Sequence, residues 1–150
     1  MMLFIKNVIE FQYLENNGAA FGFMENKQIL FYIITIIVMA VIVFVWFRVR
    51  KRLNQYLLLE NTLFVPKTFK NGIILNYMLV VLGAGAIGNF IDRIAHNYVV
   101  DFIYFKFINF PIFNFADICV TCSAIFLVIF FLFVYKEDPN FNIFSSKKGK

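Results

Sequence analysis

Charged residues are scarce in this 150-residue chain. Lys, Arg, Asp and Glu together make up 15% of the residues, whereas 61% are hydrophobic and 20% are aromatic. A water-soluble domain needs more polar surface than this, so the composition excludes a soluble fold and indicates a membrane protein. The chain also lacks repeats, low-complexity tracts and linkers rich in Pro, Gly or Ser. We therefore expect a single domain over residues 1–150.

Three uncharged apolar runs account for the hydrophobic excess: Ile29–Phe47, Ile73–Ile91 and Ile118–Tyr135. A helix rises 1.5 Å per residue, so each run reaches roughly 27 to 29 Å, close to the hydrocarbon thickness of about 30 Å. We predict an all-α integral membrane bundle with three transmembrane helices. We expect no secretory signal peptide, because residues 1–18 become polar before an apolar core of adequate length forms. We expect the spans to be permanent.

The positive charges follow two of these runs. The formal net charge is +5, and ten of the 14 Lys and Arg residues are Arg48, Arg50, Lys51, Arg52, Lys67, Lys70, Lys136, Lys147, Lys148 and Lys150. By the positive-inside rule both regions face the cytoplasm, so the charge predicts orientation and not a nucleic-acid partner. Residues 1–28 and 92–117 are then expected together on the outer face. They contain Asp92, Asp101 and Asp117, so we expect any polar chemistry there.

The first outer segment has the two-residue period of a strand. Its apolar side is predicted to carry Ile9, Phe11 and Tyr13, which alternate with Glu10, Gln12 and Leu14. The following residues, 16–18, read Asn-Asn-Gly and tolerate positive φ, so they predict a turn or hairpin before residues 19–21 return to the membrane surface. We expect a small β element lying on the bilayer.

The second outer segment, residues 92–117, is aromatic and β-branched. Phe and Tyr suit the headgroup region, where their rings are buried while adjacent polar groups stay hydrated, so this segment is expected at the interface. Asp101 places a charge within its apolar stretch. Such a charge is costly unless it is paired or protonated, and a carboxylate in this setting is a functional candidate.

Gly83, Gly85 and Gly88 have the GxGxxG spacing of a dinucleotide-binding turn. That motif requires a soluble strand before it and an acidic residue about 20 positions later. Here the glycines lie within the second apolar run, where a cofactor would have no polar shell. We instead expect Gly85, Ala84 and Gly88 to form one small face that lets neighbouring helices approach closely.

Several polar residues have structural explanations as well as functional ones. Asp92 and Arg93 can form an ion pair at a helix end, and Asp117 can cap free backbone amides where the third run begins. His96 is more typical of a surface residue than of a ligand, and no zinc-binding set is present in the sequence. Cys119 and Cys122 form a CxxC motif on the third run, where packing is favoured. A membrane thiol oxidoreductase is a third reading, and replacing both cysteines with Ser would then abolish function.

Three stretches carry a family resemblance: NNGAAFGF at 16–23, GAIGNFIDR at 85–93, and VVDFIYF…FPIFNFAD at 99–117. They resemble, in the same order, the N-x-G-A-A-F, G-N-x-x-D-R, V-V-D-F and F-N-x-A-D motifs of the lipoprotein signal peptidase family, the type II signal peptidases of bacteria. The resemblance implies a membrane-embedded aspartic endopeptidase. Such an enzyme removes the signal peptide from prolipoproteins, ahead of the lipobox cysteine, after that cysteine has received a diacylglyceryl group.

The resemblance implies that Asp101 and Asp117 are the catalytic pair. It assigns substrate-binding or supporting roles to Asn16, Gly18, Asn89, Asp92, Arg93 and Asn114. It implies no metal or other cofactor, prolipoproteins with diacylglyceryl-cysteine and membrane lipids as partners, and a multi-pass location in the bacterial cytoplasmic membrane with the site on the extracytoplasmic side. We expect Asp117 to be the base, because a helix N-terminus favours negative charge. A lateral groove for the substrate's signal helix and acyl chains is expected beside Gly83, Gly85 and Gly88.

The family ordinarily has four spans, and its first span, with an Asp and a Lys near the outer end, would precede the predicted strand. About seven residues precede that strand here, so either the chain begins at a later start or it belongs to a shortened branch whose bundle closes differently. Of these we predict a longer native form with one more N-terminal span. The alternative, from another functional class, is a catalytically inactive or truncated membrane homologue that acts as a binding or assembly protein. A cleavage assay distinguishes the two.

Overall fold

The computed structural model describes residues 2–5, 8–18, 28–59 and 67–135. These ranges form a three-stranded sheet and three long helices: β1 (Met2–Ile5), β2 (Ile9–Asn16), α1 (Gln28–Leu59), α2 (Lys67–His96), β3 (Val99–Phe105) and α3 (Phe115–Ile129). A 3₁₀ turn, Lys106–Ile108, follows β3, and a π-helical turn, Phe130–Tyr135, continues α3.

The three predicted spans are all helical. The stretches Ile29–Gln55, Thr68–His96 and Phe115–Tyr135 are each long and apolar enough to cross a membrane. All three begin or end beyond the apolar runs of the sequence, because a helix continues for as long as its backbone hydrogen bonds do, whatever the polarity of its side chains. The prediction of a helical membrane bundle with a small β element is confirmed.

Helix α2 packs against both α1 and α3. It runs antiparallel to α1, since the Tyr32 hydroxyl near the start of α1 donates to the Arg93 carbonyl near the end of α2 (2.8 Å). Farther along α1, the fully buried Val49 and Leu75 form an apolar core that includes Phe130 of the π-helical turn. Most other apolar side chains of the spans point outward, as expected where lipid is the solvent.

The glycines of α2 divide between two neighbours. A Cβ on Gly85 would lie 2.6 Å from the carbonyl oxygen of Ala116, so α2 and α3 could not approach this closely with any other residue there. Gly88 faces Ala116 as well, whereas Gly83 faces Ile42 of α1. The packing role of Gly85 and Gly88 is confirmed. The inclusion of Ala84 was wrong, since it is exposed, because successive helical residues are rotated by about 100°.

The sheet has β2 at its centre, antiparallel to β1 and to β3. Phe11 pairs with Ile103 and Leu14 pairs with Asp101, so two residues of β2 lie opposite one residue of β3. This β-bulge shifts the alternation of β2 by one position. The predicted strand is confirmed, but the predicted apolar side was wrong beyond Phe11. Leu14 and Asn16 face the same side as Phe11, while Tyr13 is turned away and 66% exposed.

Glu10 is buried, although the predicted alternation placed it on the polar side. Its Oε1 atom accepts a hydrogen bond from Lys106 Nζ (2.7 Å), and its Oε2 atom accepts one from Gln12 (3.1 Å). The Lys106 amide also donates to the Val8 carbonyl. Burying a carboxylate is tolerated because both oxygens are satisfied and the charge is paired. The contact joins β2 to the turn after β3.

The two outer segments meet at one end of the bundle, as predicted, because β2 and β3 pair. The predicted turn begins with Asn16 Oδ1, which accepts a hydrogen bond from the Gly18 amide (2.9 Å). The predicted return of residues 19–21 to the membrane lies outside the described residues.

Candidate active site

Asp117 occupies the first turn of α3 and takes part in its N-terminal cap. Asn114 Oδ1 accepts a hydrogen bond from the Asp117 amide (3.0 Å), and Asp117 Oδ2 accepts one from the Asn114 amide (3.1 Å). This reciprocal pair is a capping box, which satisfies backbone amides that the helix leaves free. The capping role considered for Asp117 is therefore real, but it occupies only one carboxylate oxygen.

The second oxygen of Asp117 faces a polar cluster. Asn89 of α2 donates its side-chain amide to Asp117 Oδ1 (2.7 Å). Gly85, one turn earlier in α2, sets the close approach of α2 and α3. The small residue thus brings Asn89 within hydrogen-bond distance of the cap of α3.

Asp101 in the middle of β3 is 1% exposed. Its two oxygens accept hydrogen bonds from Asn16 Nδ2 (2.7 Å) and Asn114 Nδ2 (2.8 Å). Burial raises the pKa of the Asp101 carboxyl, while the amides of Asn16 and Asn114 lower it because they stabilise the charged form. The negative charge of Asp117 raises the pKa of Asp101 further.

Asn114 connects the two carboxylates. Its side-chain amide donates to Asp101 Oδ1 and to Asn89 Oδ1 (3.0 Å), and its oxygen belongs to the cap shared with Asp117. One asparagine therefore links β3, α2 and α3. Asp101 and Asp117 therefore belong to a single hydrogen-bonded network.

Arg93 lies beside this network. Its Nη1 donates to the Asn89 carbonyl (3.2 Å), its Nη2 donates to the Gly18 carbonyl (3.1 Å), and its guanidinium lies 4.7 Å from the centre of the Phe31 ring. The predicted ion pair between Asp92 and Arg93 was wrong. Both are described residues and no salt bridge joins them, because neighbouring helical residues point about 100° apart and the Arg93 guanidinium is directed to the carbonyls of Asn89 and Gly18 and to the Phe31 ring.

A cavity of about 880 Å³ opens onto the network. Its polar wall contains Asn16, Gly18, Asn89, Arg93, Asp101 and Asp117. Its apolar wall is formed largely by Phe31, Ile118 and residues 110–113. Asp92 is not among the described residues that line it, so the structure does not bring Asp92 into the site. Asn114 lies beneath the lining, where it holds both aspartates.

The expected groove beside Gly83, Gly85 and Gly88 was wrong. Neighbouring helices cover these positions, and the described lining of the cavity does not include them. The cavity instead follows α3 from Asp117 to Thr121 and Cys122, which sequence reasoning did not assign to the site. Their positions one helical turn after Asp117 and Ile118 are the signal that could have identified them.

The remaining candidates lie outside the carboxylate network. Cys119 and Cys122 are both free thiols. His96 is exposed and its ring lies near that of Tyr98. In the described part of the chain, no three His, Cys, Asp or Glu side chains are placed to hold a metal ion.

Known proteins resemble the chain over most of its length. The profile of the signal peptidase (SPase) II family matches residues 1–133. The lipoprotein signal peptidase of Clostridium tetani is 41% identical over 137 residues, which cover 89% of this chain and 74% of that protein. The lipoprotein signal peptidase of Enterococcus faecalis is 40% identical over 130 residues, covering 84% of this chain and 69% of that protein.

A solved structure shares the fold. It is a bacterial membrane enzyme determined by the in meso method at 2.3 Å resolution, with a TM-score of 0.66 and 30% sequence identity. The match covers 99% of this chain and 77% of that one. Three membrane-spanning helices, the sheet at one end and the match to the family profile agree. The chain belongs to the signal peptidase II family.

Proposed function

We propose that the protein is an aspartic endopeptidase that removes the signal peptide from diacylglyceryl-modified prolipoproteins, ahead of the lipobox cysteine. The observation that carries the proposal is the linkage of Asp101 and Asp117 through Asn114 and Asn89 at the wall of one cavity. Two carboxylates that share a site hold one proton between them cheaply, and such a pair supplies both an acid and a base.

The environments of the two aspartates favour different protonation states. Burial and the neighbouring charge of Asp117 raise the pKa of Asp101, so Asp101 is the better holder of the shared proton. Asp117 lies at the N-terminus of α3, where the helix dipole and the backbone amide of Asn114 stabilise a negative charge. We assign Asp117 as the base and Asp101 as the acid.

The reaction follows from this division. Ionised Asp117 takes a proton from a water molecule as the water oxygen attacks the scissile carbonyl carbon, and protonated Asp101 stabilises the oxyanion that forms. Asp117 then gives its proton to the amide nitrogen, the C–N bond breaks, and the oxyanion returns as the carbonyl of the new acid. The products are a carboxylic acid and an amine.

The asparagines hold the acid and the base in place. Asn16 and Asn89 each donate to one carboxylate, while Asn114 fixes their relative position. Arg93 supports the site from the cavity wall, because it joins the Gly18 carbonyl to α2 and places a positive charge in the same wall as both aspartates. Substitution of Asp92, which does not line the cavity, is expected to affect folding more than chemistry.

The cavity fits a substrate that comes from lipid. Peptide hydrolysis needs water, which a site at the end of the spans supplies, and the apolar wall can receive the signal helix and acyl chains. Each buried acyl CH₂ contributes about 0.8 kcal/mol. We place the protein in the bacterial cytoplasmic membrane, with the site on the extracytoplasmic side, since the basic residues follow the spans at the other end.

A cleavage assay with a matched substrate pair tests this function. Purified protein in detergent or bilayers is incubated with a prolipoprotein that carries the diacylglyceryl group and with the same protein unmodified. Mass spectrometry should show a signal peptide and a mature chain that begins at the lipidated cysteine, with little product from the unmodified form. Binding of the modified form without any cleavage would instead support the alternative, a noncatalytic binding or assembly protein.

A further inference from the structure

The cavity has an α3 wall and a β2 wall. The α3 wall runs into the span, past Ile118 to Cys122. The β2 wall is the end of β2 and the turn that follows, residues 14–18. If the proposed function is correct, the apolar signal helix lies along the α3 side. The mature chain, which belongs in water, then leaves past β2.

Glu15 is the acidic residue on this sheet side. Its Oε1 accepts a hydrogen bond from the Tyr13 hydroxyl (3.0 Å), and that hydroxyl lies 3.4 Å from the hydroxyl of Tyr98. These contacts raise the pKa of Tyr13, through Tyr98 first and Glu15 second, so the Tyr13 hydroxyl keeps its proton and remains a donor. The exposed Glu15 side chain is thereby held by Tyr13, and Glu15 is one of the residues that line the cavity.

The bulge in β2 produces this arrangement. Because the alternation shifts by one residue, Asn16 faces Asp101, while Tyr13 and Glu15 lie together on the opposite side of the strand. A regular strand would turn Tyr13 and Glu15 toward Asp101. The chain therefore keeps a third carboxylate close to the catalytic pair but out of contact with it.

The charges around the cavity favour a cation near Glu15. The described residues that line the cavity include three acids, Glu15, Asp101 and Asp117. Among the same described residues, Arg93 is the one Lys or Arg. Arg93 is already engaged with the carbonyls of Gly18 and Asn89 and with the Phe31 ring. Among the described residues no hydrogen bond occupies Glu15 Oε2, so this oxygen can accept from a substrate.

We propose that Glu15 is a specificity-determining residue, which attracts a basic side chain in the first residues of the mature segment and disfavours an acidic one. The proposal rests on the proposed function, because it assigns the direction in which the substrate lies. Exposed charge pairs are weak and are screened by salt, so the preference is expected to be modest and to decrease at high ionic strength.

Three lipopeptides test the proposal. They share the diacylglyceryl-cysteine and the signal segment, and differ in carrying Lys, Gln or Asp at the second position after the lipidated cysteine. The ratio of kcat/KM between the Lys and Asp peptides should be about five for the wild type at low ionic strength. It should be close to one in Glu15→Gln and should invert in Glu15→Lys.

Tyr13→Phe provides a second variant with Glu15 intact. Loss of the hydroxyl frees the carboxylate to move, so the Lys-to-Asp ratio should fall between those of the wild type and Glu15→Gln. High salt should reduce the wild-type ratio toward one. A ratio that is the same in the wild type, Glu15→Gln and Glu15→Lys would overturn the proposal.

Binding separates this inference from the proposed function. The affinities of the same uncleaved peptides are measured for Asp117→Asn and for Asp117→Asn combined with Glu15→Gln. The Lys peptide should bind more tightly than the Asp peptide in the first protein and equally in the second. Failure of the wild type to cleave the Gln peptide would contradict the proposed function. Equal binding of all three peptides in both proteins would overturn the role of Glu15.

Discussion

The two ends of the helix bundle are stabilised by different interactions. Away from the sheet, Val49, Leu75 and Phe130 pack as apolar side chains without directional contacts. At the sheet end, Asp101, Asp117 and three asparagines form a connected hydrogen-bonded network. Apolar packing tolerates substitutions that keep the volume, whereas a buried polar network fails when one donor is lost. The difference indicates that the spans act as a scaffold and that chemical specificity resides at the sheet end.

Apart from substitution of the aspartates, substitution of Asn114 is expected to have the largest effect on the activity that depends on this network. Asn114→Ala removes the donor to Asp101 and the cap of α3. Cleavage should fall by about 10- to 100-fold, since a hydrogen bond to a charged group contributes about 1.5 to 3 kcal/mol. The free energy of unfolding should fall by about 1 kcal/mol from the lost cap. Both are measured on purified protein.

Asn114→Asp is the matched control, because Asn and Asp cap helices about equally well. It should keep the cap but lose at least as much activity as Asn114→Ala, since a carboxylate cannot donate and adds a third negative charge. The free energy of unfolding should also fall, because that added charge is buried beside Asp101 and Asp117. Full activity in Asn114→Asp would show that the cap alone matters.

Gly85 tests the scaffold. Gly85→Ala places a Cβ against the Ala116 carbonyl, so the free energy of unfolding should fall by about 1 to 3 kcal/mol. Activity should fall too, because α3 carries Asp117. In Gly83→Ala the nearest atoms are the ends of Ile42 and Met39, at 3.7 and 3.8 Å, so stability should be unchanged or improved. Equal losses in the two variants would contradict the assigned packing of α2 on α3.

The smallest expected effect is a shift in pH dependence. In the proposed mechanism activity requires protonated Asp101, so the rate should fall as pH rises through the pKa of Asp101. Asn16 lowers that pKa by donating to the carboxylate. Asn16→Leu should therefore move the alkaline fall to higher pH, by roughly 0.5 to 1 unit for a bond of about 1 kcal/mol.

Gln12→Leu is the control for this shift. Gln12 lies on the same strand but donates to Glu10 and has no hydrogen bond to Asp101. Its alkaline fall should match that of the wild type. Movement of the fall to lower pH in Asn16→Leu would contradict the assignment of Asp101 as the acid.

The sequence predicts the scaffold more fully than the sheet end. Uncharged runs are sufficient to identify three spans, because side chains that face lipid must be apolar along the whole length of a span. Period-two alternation predicts β2, yet it cannot place a bulge, so Tyr13 and Leu14 were assigned to the wrong sides. The pairing of β2 with β3 joins residues about 85 positions apart, and no local pattern encodes it.

The candidate site was predicted by resemblance and not by periodicity. The motifs identified Asp101, Asp117 and their asparagines, whereas local reasoning favoured a helix cap for Asp117 and left Asp92 open between an ion pair and a functional role. The structure shows that Asp117 is a cap whose second oxygen joins the network. The spacing of residues in the sequence cannot show that one carboxylate both caps a helix and belongs to the network. Thr121 and Cys122 line a cavity whose walls come from β2, α1 and α3, so their place in it depends on how these elements pack in three dimensions.

Cleavage by the two aspartate variants tests the central claim most directly. Asp101→Asn and Asp117→Asn are nearly isosteric but can neither accept the proton from water nor share one, so each should lose about 10² to 10⁴-fold in turnover of a diacylglyceryl-modified prolipoprotein. Membrane insertion and substrate binding should be largely retained, and Asp92→Asn should lose far less activity. Turnover close to that of the wild type in either Asn variant would contradict an aspartic mechanism.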